Sequence, residues 1–303
     1  MSNFLIVIAG PTAIGKTNLA ITLAQRLDTI ILSSDSRQFY RQTSIGTAKP
    51  SNDELTAAPH YFINSLDITD NYNVGSFERD ALQLLDTQFK QHQSVIMVGG
   101  SGLYIRAVCE GLDEFPEVPT TIRATINHHY QTEGITYLQT NLQQLDPNYY
   151  AVVDTNNPQR MIRALEVCMG TNKPFSSFLV RNANSRPFKC IKIALDTNRA
   201  TLYNRINKRV DDMMAMGLEA EARNLYPFKQ LNALQTVGYQ ELFSYFDGSI
   251  SLTQAVALIK QNTRRYAKRQ LTWLRKDPEF LWFEPTDIDA IWATIVDILS
   301  EKV

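Results

Sequence analysis

An apolar run, Phe4-Leu5-Ile6-Val7-Ile8-Ala9, leads directly into Gly10-Pro11-Thr12-Ala13-Ile14-Gly15-Lys16-Thr17. The run is continuous and rich in β-branched residues, which reads as a buried strand. The eight residues after it fit GxxxxGK[ST] at every fixed position, and Leu19, Ala20, Leu23, Ala24 and Leu27 then recur at helical spacing. Strand, glycine-rich turn and helix in this order make an anion cradle. The glycines let successive backbone N–H groups turn toward one anion, and the helix N-terminus adds its dipole. Lys16 supplies a positive charge, and the Thr17 hydroxyl is placed to ligate Mg²⁺. The loop holds a phosphate; its sequence alone does not separate ATP from another diphosphate.

Further strands are expected at Ile30-Ile31-Leu32-Ser33-Ser34, Ser94-Val95-Ile96-Met97-Val98, Ile191-Lys192-Ile193-Ala194-Leu195 and Leu281-Trp282-Phe283. Helical patterns separate them, so the sheet is parallel, with its binding crevice at the strands' carboxyl ends. The expected fold is α/β, a P-loop NTPase-like parallel sheet core flanked by helices. Between Gly111 and Pro187 the texture changes to helical patterns rich in Tyr, Gln and Asn, without a strand. Residues 113–187 are therefore expected to form a mainly helical insertion in a discontinuous core of residues 1–112 and 188–303. A last amphipathic helix is expected over residues 288–299.

At 303 residues, 44% hydrophobic and 20% charged, the chain has the make-up of an ordinary globular protein. Its formal net charge of −1 does not announce a nucleic-acid binder, so any such role rests on local basic surfaces. Cys109, Cys168 and Cys190 form an odd set without a CxxC pair, against a disulfide framework or a zinc site. The apolar N-terminal run is too short for a signal peptide or a membrane span. A cytoplasmic protein without membrane association is expected.

The usual reading of the cradle, hydrolysis of ATP or GTP, meets resistance. The strand at residues 94–98 ends in Gly99-Gly100-Ser101-Gly102, where many P-loop hydrolases carry a metal-holding Asp. The guanine-reading NKxD box is missing, since Asn172-Lys173 precedes Pro174-Phe175. Asp35 ends the strand at residues 30–34 and reads either as a helix cap or outer-sphere Mg²⁺ partner, or as a general base facing the cradle. Ser101 reads as a turn residue or as a hydroxyl beside a closely approaching flat substrate.

Arg160 and Arg163, just before a helical run at residues 164–167, share a face at i,i+3 spacing, and Arg205 and Arg209 share one at i,i+4. Lys260, Arg264, Arg265, Lys268, Arg269, Arg275 and Lys276 follow with no acidic residue until Asp277, interleaved with Tyr266 and Trp273. Lys260, Arg264 and Lys268 fall on one stripe. A solvated helix face is one reading and a nucleic-acid backbone site is the other.

Taken in order, these segments resemble the tRNA dimethylallyltransferase family, also called tRNA isopentenyltransferases. The residues carrying the resemblance are the cradle, Ser34-Asp35-Ser36-Arg37-Gln38-Phe39-Tyr40, Ile45-Gly46-Thr47-Ala48-Lys49-Pro50 and Gly99-Gly100-Ser101-Gly102-Leu103-Tyr104. Asn157-Pro158-Gln159-Arg160, Val237-Gly238-Tyr239 and Thr263-Arg264-Arg265-Tyr266-Ala267-Lys268-Arg269-Gln270 continue it. The resemblance implies dimethylallyl diphosphate as donor. It implies as acceptor N6 of the adenine immediately 3′ of the anticodon (adenosine 37), in tRNAs reading codons that begin with U. It implies Asp35 as base, with Asp35, Ser36, Arg37, Gln38, Ser101, Arg123, Gln159, Arg160, Met161, Ile162 and Arg163 meeting the anticodon stem-loop. Mg²⁺ on Thr17, Lys16 and Arg209 would stabilise the leaving diphosphate, and a monomer is expected. The chain departs from the family at Ser101, usually Thr, and at Gln240-Glu241, where many members place a basic residue after Gly-Tyr. The rival readings are a small-molecule kinase with Asp35 facing a hydroxyl, and a catalytically idle P-loop RNA binder.

Overall fold

The computed structural model describes residues 2–179 and 185–300. The chain divides into two compact units, Met1–Glu110 with Ser185–Val303, and Gly111–Asn184. In chain order the elements are β1 (Asn3–Ala9), α1 (Lys16–Leu27), β2 (Ile31–Ser33), α2 (Asn52–Ala57), β3 (His60–Tyr61), α3 (Val74–Gln88), β4 (Ser94–Gly99) and α4 (Gly102–Glu110). The second unit contributes α5 (Thr120–Glu133), α6 (Ile135–Leu145), α7 (Pro147–Tyr150) and α8 (Pro158–Thr171). The first unit resumes with β5 (Phe188–Leu195), α9 (Arg199–Ala215), α10 (Leu218–Leu225), α11 (Tyr239–Phe246), α12 (Leu252–Leu274), β6 (Leu281–Phe283) and α13 (Ile288–Ser300).

The sheet has six strands in the order β3-β2-β4-β1-β5-β6, all parallel. Side-chain parity along β1 divides the core between its two faces. Leu5, Val7 and Ala9 join Phe77 and Leu85 of α3 with Ile105 and Val108 of α4. Phe4, Ile6 and Ile8 join Leu19 and Leu23 of α1, Ile206 of α9 and Ile295 of α13. Because both faces are covered, β1 carries no polar alternation. The strand of residues 30–34 is confirmed in shorter form, and the apolar runs at β4, β5 and β6 form strands as expected. β3 was not foreseen: it is two residues long, and Tyr61 is exposed, so it carries no hydrophobic signature.

Helices joined by loops make up the second unit, with no strand among its described residues, and residues 180–184 of the expected insertion lie outside them. Ile126, Leu138, Leu142, Met161, Ile162 and Leu165 form its core. Phe115 stacks on Phe175 at 4.8 Å. Asp146 is 1% exposed and serves as an internal clip. Its oxygens accept from Tyr149 N–H at 3.0 Å, which caps α7, and from Ser176 N–H and Oγ at 2.6 and 2.8 Å. These three bonds satisfy the buried carboxylate's oxygens within the unit.

Candidate active site

The carboxyl ends of β1, β2 and β4 bring the phosphate loop, Asp35 and Ser101 to one side of the sheet. Gly15 stands at φ 106° ahead of α1, a conformation that an L-residue adopts only under strain. It turns the loop so that α1 begins at Lys16. Two arginines of α9, one turn apart, fasten the loop from outside: Arg205 Nη1 donates to Ile14 O at 3.3 Å and Arg209 Nη1 to Thr12 Oγ1 at 3.5 Å. Lys16 Nζ donates to Pro11 O at 2.8 Å. Burial draws the Lys16 ammonium from its ordinary 10.5 down to about 8, against the attraction of Asp35 and with help from Arg209. Burial also lowers Arg209. Two cations held so close together make a site that gains from binding a further anion.

Asp35 follows β2 and is half-buried. Its Oδ1 accepts the Arg37 N–H at 3.0 Å, which fixes the carboxylate's orientation, and no described residue bonds Oδ2. Ser101 sits opposite: its Oγ accepts the Ser36 N–H at 3.3 Å and lies 3.3 Å from Ser36 Oγ. Tyr266 of α12 lines the smaller cavity with Ser101, and burial together with the charge of Asp35 pushes its phenol up to about 12. Asp35, Ser101 and Tyr266 therefore belong to one polar network. Thr17 lines the larger of the two cavities here, and its hydroxyl has no protein partner among the described residues.

Two cavities of about 1040 and 600 Å³ meet at this network. The larger is lined by the phosphate loop, Gln38, residues 44–45 and residues 47–52; the smaller by Ser36, Arg37, Gly46, residues 100–104 and residues 235–238. Thr12, Asp35, Arg209, Met213, Tyr266 and Gln270 line both. The arrangement places an anion cradle on one side of a carboxylate and an open slot on the other. It suits transfer of a group from a phosphate leaving group to an acceptor that Asp35 deprotonates.

The side chains expected to meet RNA have diverse settings. Arg37 Nη1 donates to Asn232 O at 2.8 Å, and Gln38 Nε2 donates to Thr47 O and Ala48 O at 3.2 and 3.1 Å, so both also brace neighbouring loops. In the helical unit, Arg123 and Arg163 converge on Glu166 at 3.2 and 3.1 Å. Gln159 and Arg160 are exposed. Met161 and Ile162 are 0% and 2% exposed, which corrects the expectation that they meet RNA: their side chains are committed to the core of the helical unit. Arg160 and Arg163 also lie inside α8 rather than ahead of it, because Pro158 occupies the first helical turn and Asn157 caps it by accepting the Arg160 N–H at 3.2 Å.

The basic stripe of α12 is divided. Lys260 pairs with Asp211 of α9 at 2.6 Å, and Arg264 donates to Asn207 at 2.6 Å. The missing counter-charge thus comes from a neighbouring helix. Lys268 and Arg269 are exposed, and neither has an ion-pair partner among the described residues. The sequence reading gave no role to Gln270, whose side chain bonds both loops. The signal available was a Gln on the buried stripe of Ala255, Ile259, Ala267 and Leu274.

The family model for IPP transferase matches residues 38–277. The chain is 55% identical over 303 residues to the tRNA dimethylallyltransferase of Christiangramia forsetii, covering 100% of this chain and 99% of that one. The chain belongs to the IPP transferase family. A solved IPP-transferase-family structure, the tRNA isopentenylpyrophosphate transferase of Bacillus halodurans, superposes with a TM-score of 0.74 at 35% identity, covering 99% of this chain and 98% of that one. A eukaryotic dimethylallyltransferase acting on tRNA reaches a TM-score of 0.82 at 25% identity, covering 100% of this chain and 81% of that one. These IPP transferase structures share the six-stranded P-loop architecture described above. Among the described residues of the chain, no helix is long and apolar enough to cross a membrane.

Proposed function

We infer that this chain transfers a dimethylallyl group from dimethylallyl diphosphate to N6 of adenosine 37 of tRNA, releasing diphosphate. The observation that carries the reading is the position of Asp35, between the cationic phosphate loop and the slot beside Ser101. We further propose that the substrates are tRNAs reading codons that begin with U, and that Arg123, Gln159, Arg160 and Arg163 of the helical unit hold the anticodon stem-loop. The acting species is taken to be a monomer in the cytoplasm.

The exocyclic amine of adenine is a weak nucleophile because its lone pair is delocalised into the ring. The donor must therefore be activated. Its allylic C–O bond breaks when the leaving charge is stabilised, and the loop amides, Lys16 and Arg209 meet that charge. Oδ2 of Asp35 is free to orient the amine and take its proton as the C–N bond forms. Ser101 and Tyr266 bound the opposite wall. The adenine must leave its stack to reach the slot, at a cost of about a few kcal/mol that contacts elsewhere on the tRNA offset.

Mg²⁺ fits this site. A hard cation of this kind takes oxygen ligands and usually binds through few protein groups plus substrate phosphates. The unpartnered Thr17 hydroxyl beside Lys16 supplies such an oxygen. When bound, the ion would help neutralise the departing diphosphate.

The test is diphosphate release, measured with dimethylallyl diphosphate, Mg²⁺ and unmodified tRNA in the absence of ATP. Release that requires tRNA supports the transferase. No release, with ATP consumed in the presence of small hydroxylated metabolites, replaces it with a kinase.

A further inference from the structure

Gln270 lies on the buried face of α12 and is 7% exposed, yet both ends of its amide are engaged by loops far away in sequence. Its Oε1 accepts the Thr12 N–H of the phosphate loop at 2.9 Å, and its Nε2 donates to Gly100 O at 2.9 Å. Both bonds go to main chain, so they fix backbone positions rather than side-chain rotamers. The two bonds demand opposite polarity at the two ends of one planar group, which the primary amide of Gln supplies without a charge and at every pH. Gly100 is fitted to it: a Cβ there would stand 2.0 Å from Gln270 Nε2. Thr12 also meets Arg209, and the residue after Gly100 is Ser101, which bonds Ser36 beside Asp35. The Gln270 amide is thus a single rigid link between the loop that would hold the donor and the turn that would face the acceptor.

We propose that Gln270 is a positioning residue that sets the spacing between donor and acceptor, so that its loss impairs the transfer step rather than the binding of either substrate. The inference rests on the transferase reading and adds to it a residue whose two hydrogen bonds both go to protein main chain. The physical basis is that misplacing reacting groups by about 1 Å can cost on the order of 10²-fold in rate. Each loop keeps its own anchors when the link is cut. Arg205 and Lys16 still hold the phosphate loop, and the Ser36 bond still holds Ser101.

The experiment compares wild type with Gln270→Leu, Gln270→Glu and Gly100→Ala. Steady-state transfer kinetics are measured from pH 6 to pH 8.5, well below each variant's Tm. Gln270→Leu is expected to lower kcat by about 10–100-fold, with both KM values within about threefold of wild type. Gly100→Ala, which displaces the amide, is expected to do the same. Gln270→Glu discriminates further. Its carboxylate cannot donate to Gly100 O, whereas its protonated acid can donate there and still accept from Thr12. Its kcat relative to wild type should therefore rise at least about tenfold as pH falls across the range, while the Gln270→Leu ratio stays flat. A rise in the KM for the diphosphate with kcat unchanged, or the absence of low-pH recovery in Gln270→Glu, overturns the proposal. Amide exchange reads the link without turnover: in Gln270→Leu it should quicken at Thr12 and at residues 101–102 together. Unchanged exchange at either loop also overturns the proposal. Failure of the transferase reading itself shows separately, as absence of turnover in the wild type.

Discussion

The Tyr239 hydroxyl donates to Glu221 at 2.6 Å, and the same carboxylate accepts the backbone N–H groups of Ser44, Ile45 and Gly46 at 3.0, 2.8 and 2.9 Å. One acid on α10 thereby shapes a loop that lines the larger cavity. Glu221→Ala leaves those donors unpaired and should cost about 3 kcal/mol, whereas Tyr239→Phe removes one bond and should cost about 1 kcal/mol. Thermal unfolding checks both: the drop for Glu221→Ala should be about 5–10 °C, the larger of the two.

Lys16 predicts two pH dependences of opposite sign. Its folded value of about 8 lies below the ordinary 10.5, so between these values the unfolded chain keeps a proton that the folded chain has released. Its contribution to stability therefore rises with pH through that window, and Lys16→Met should remove this rise from a denaturation series. Donor affinity falls over the same window, because the cation that meets the diphosphate is lost. Calorimetric titration with dimethylallyl diphosphate should show affinity declining above about pH 8 with proton uptake on binding, and Lys16→Met should bind weakly at every pH.

Asp35→Ala should lower kcat by about 10²–10⁴-fold, or about 3–5 kcal/mol in barrier, with little change in donor affinity. Asp35→Asn keeps the acceptor for Arg37 N–H but removes the base, so it should fall nearly as far. Single-turnover assays at saturating tRNA make the comparison, and near-normal turnover in either variant removes Asp35 from this role.

The divided stripe on α12 separates RNA contacts from structural ones. Lys268→Ala with Arg269→Ala should flatten the salt dependence of tRNA binding, reducing the slope of log K against log salt by about 1.5. Lys260→Ala should leave that slope unchanged, because its charge is already paired with Asp211. Filter binding over a salt series distinguishes the two.

Much of the catalytic centre was legible because it is local. The β1 run, the cradle and the first turns of α1 are contiguous, and each residue's role follows from its distance to its neighbours in sequence. Asp35 and Ser101 were legible as polar groups at strand ends, which a parallel sheet gathers in one crevice. Glu221 and Gln270 were not, because the loops they hold are bound through backbone 175–177 residues away for Glu221 and 170 and 258 residues away for Gln270, and backbone leaves no pattern in sequence. The α12 stripe stayed open between a solvated face and a nucleic-acid site for the same reason: the partners of Lys260 and Arg264 lie on α9, outside any window along α12. Met161 and Ile162 were misread because a matching segment was carried over whole, although helical periodicity turns those two residues inward.

The central claim is that this site joins a prenyl group to tRNA with Asp35 between the two substrates. Mass spectrometry of an unmodified UNN-reading tRNA, after incubation with Mg²⁺, dimethylallyl diphosphate and no ATP, tests it most directly. The account predicts a single dimethylallyl adduct on the adenine immediately 3′ of the anticodon with wild type, and almost none with Asp35→Ala. No adduct with the wild-type protein, or an adduct formed equally well by Asp35→Ala, would contradict it.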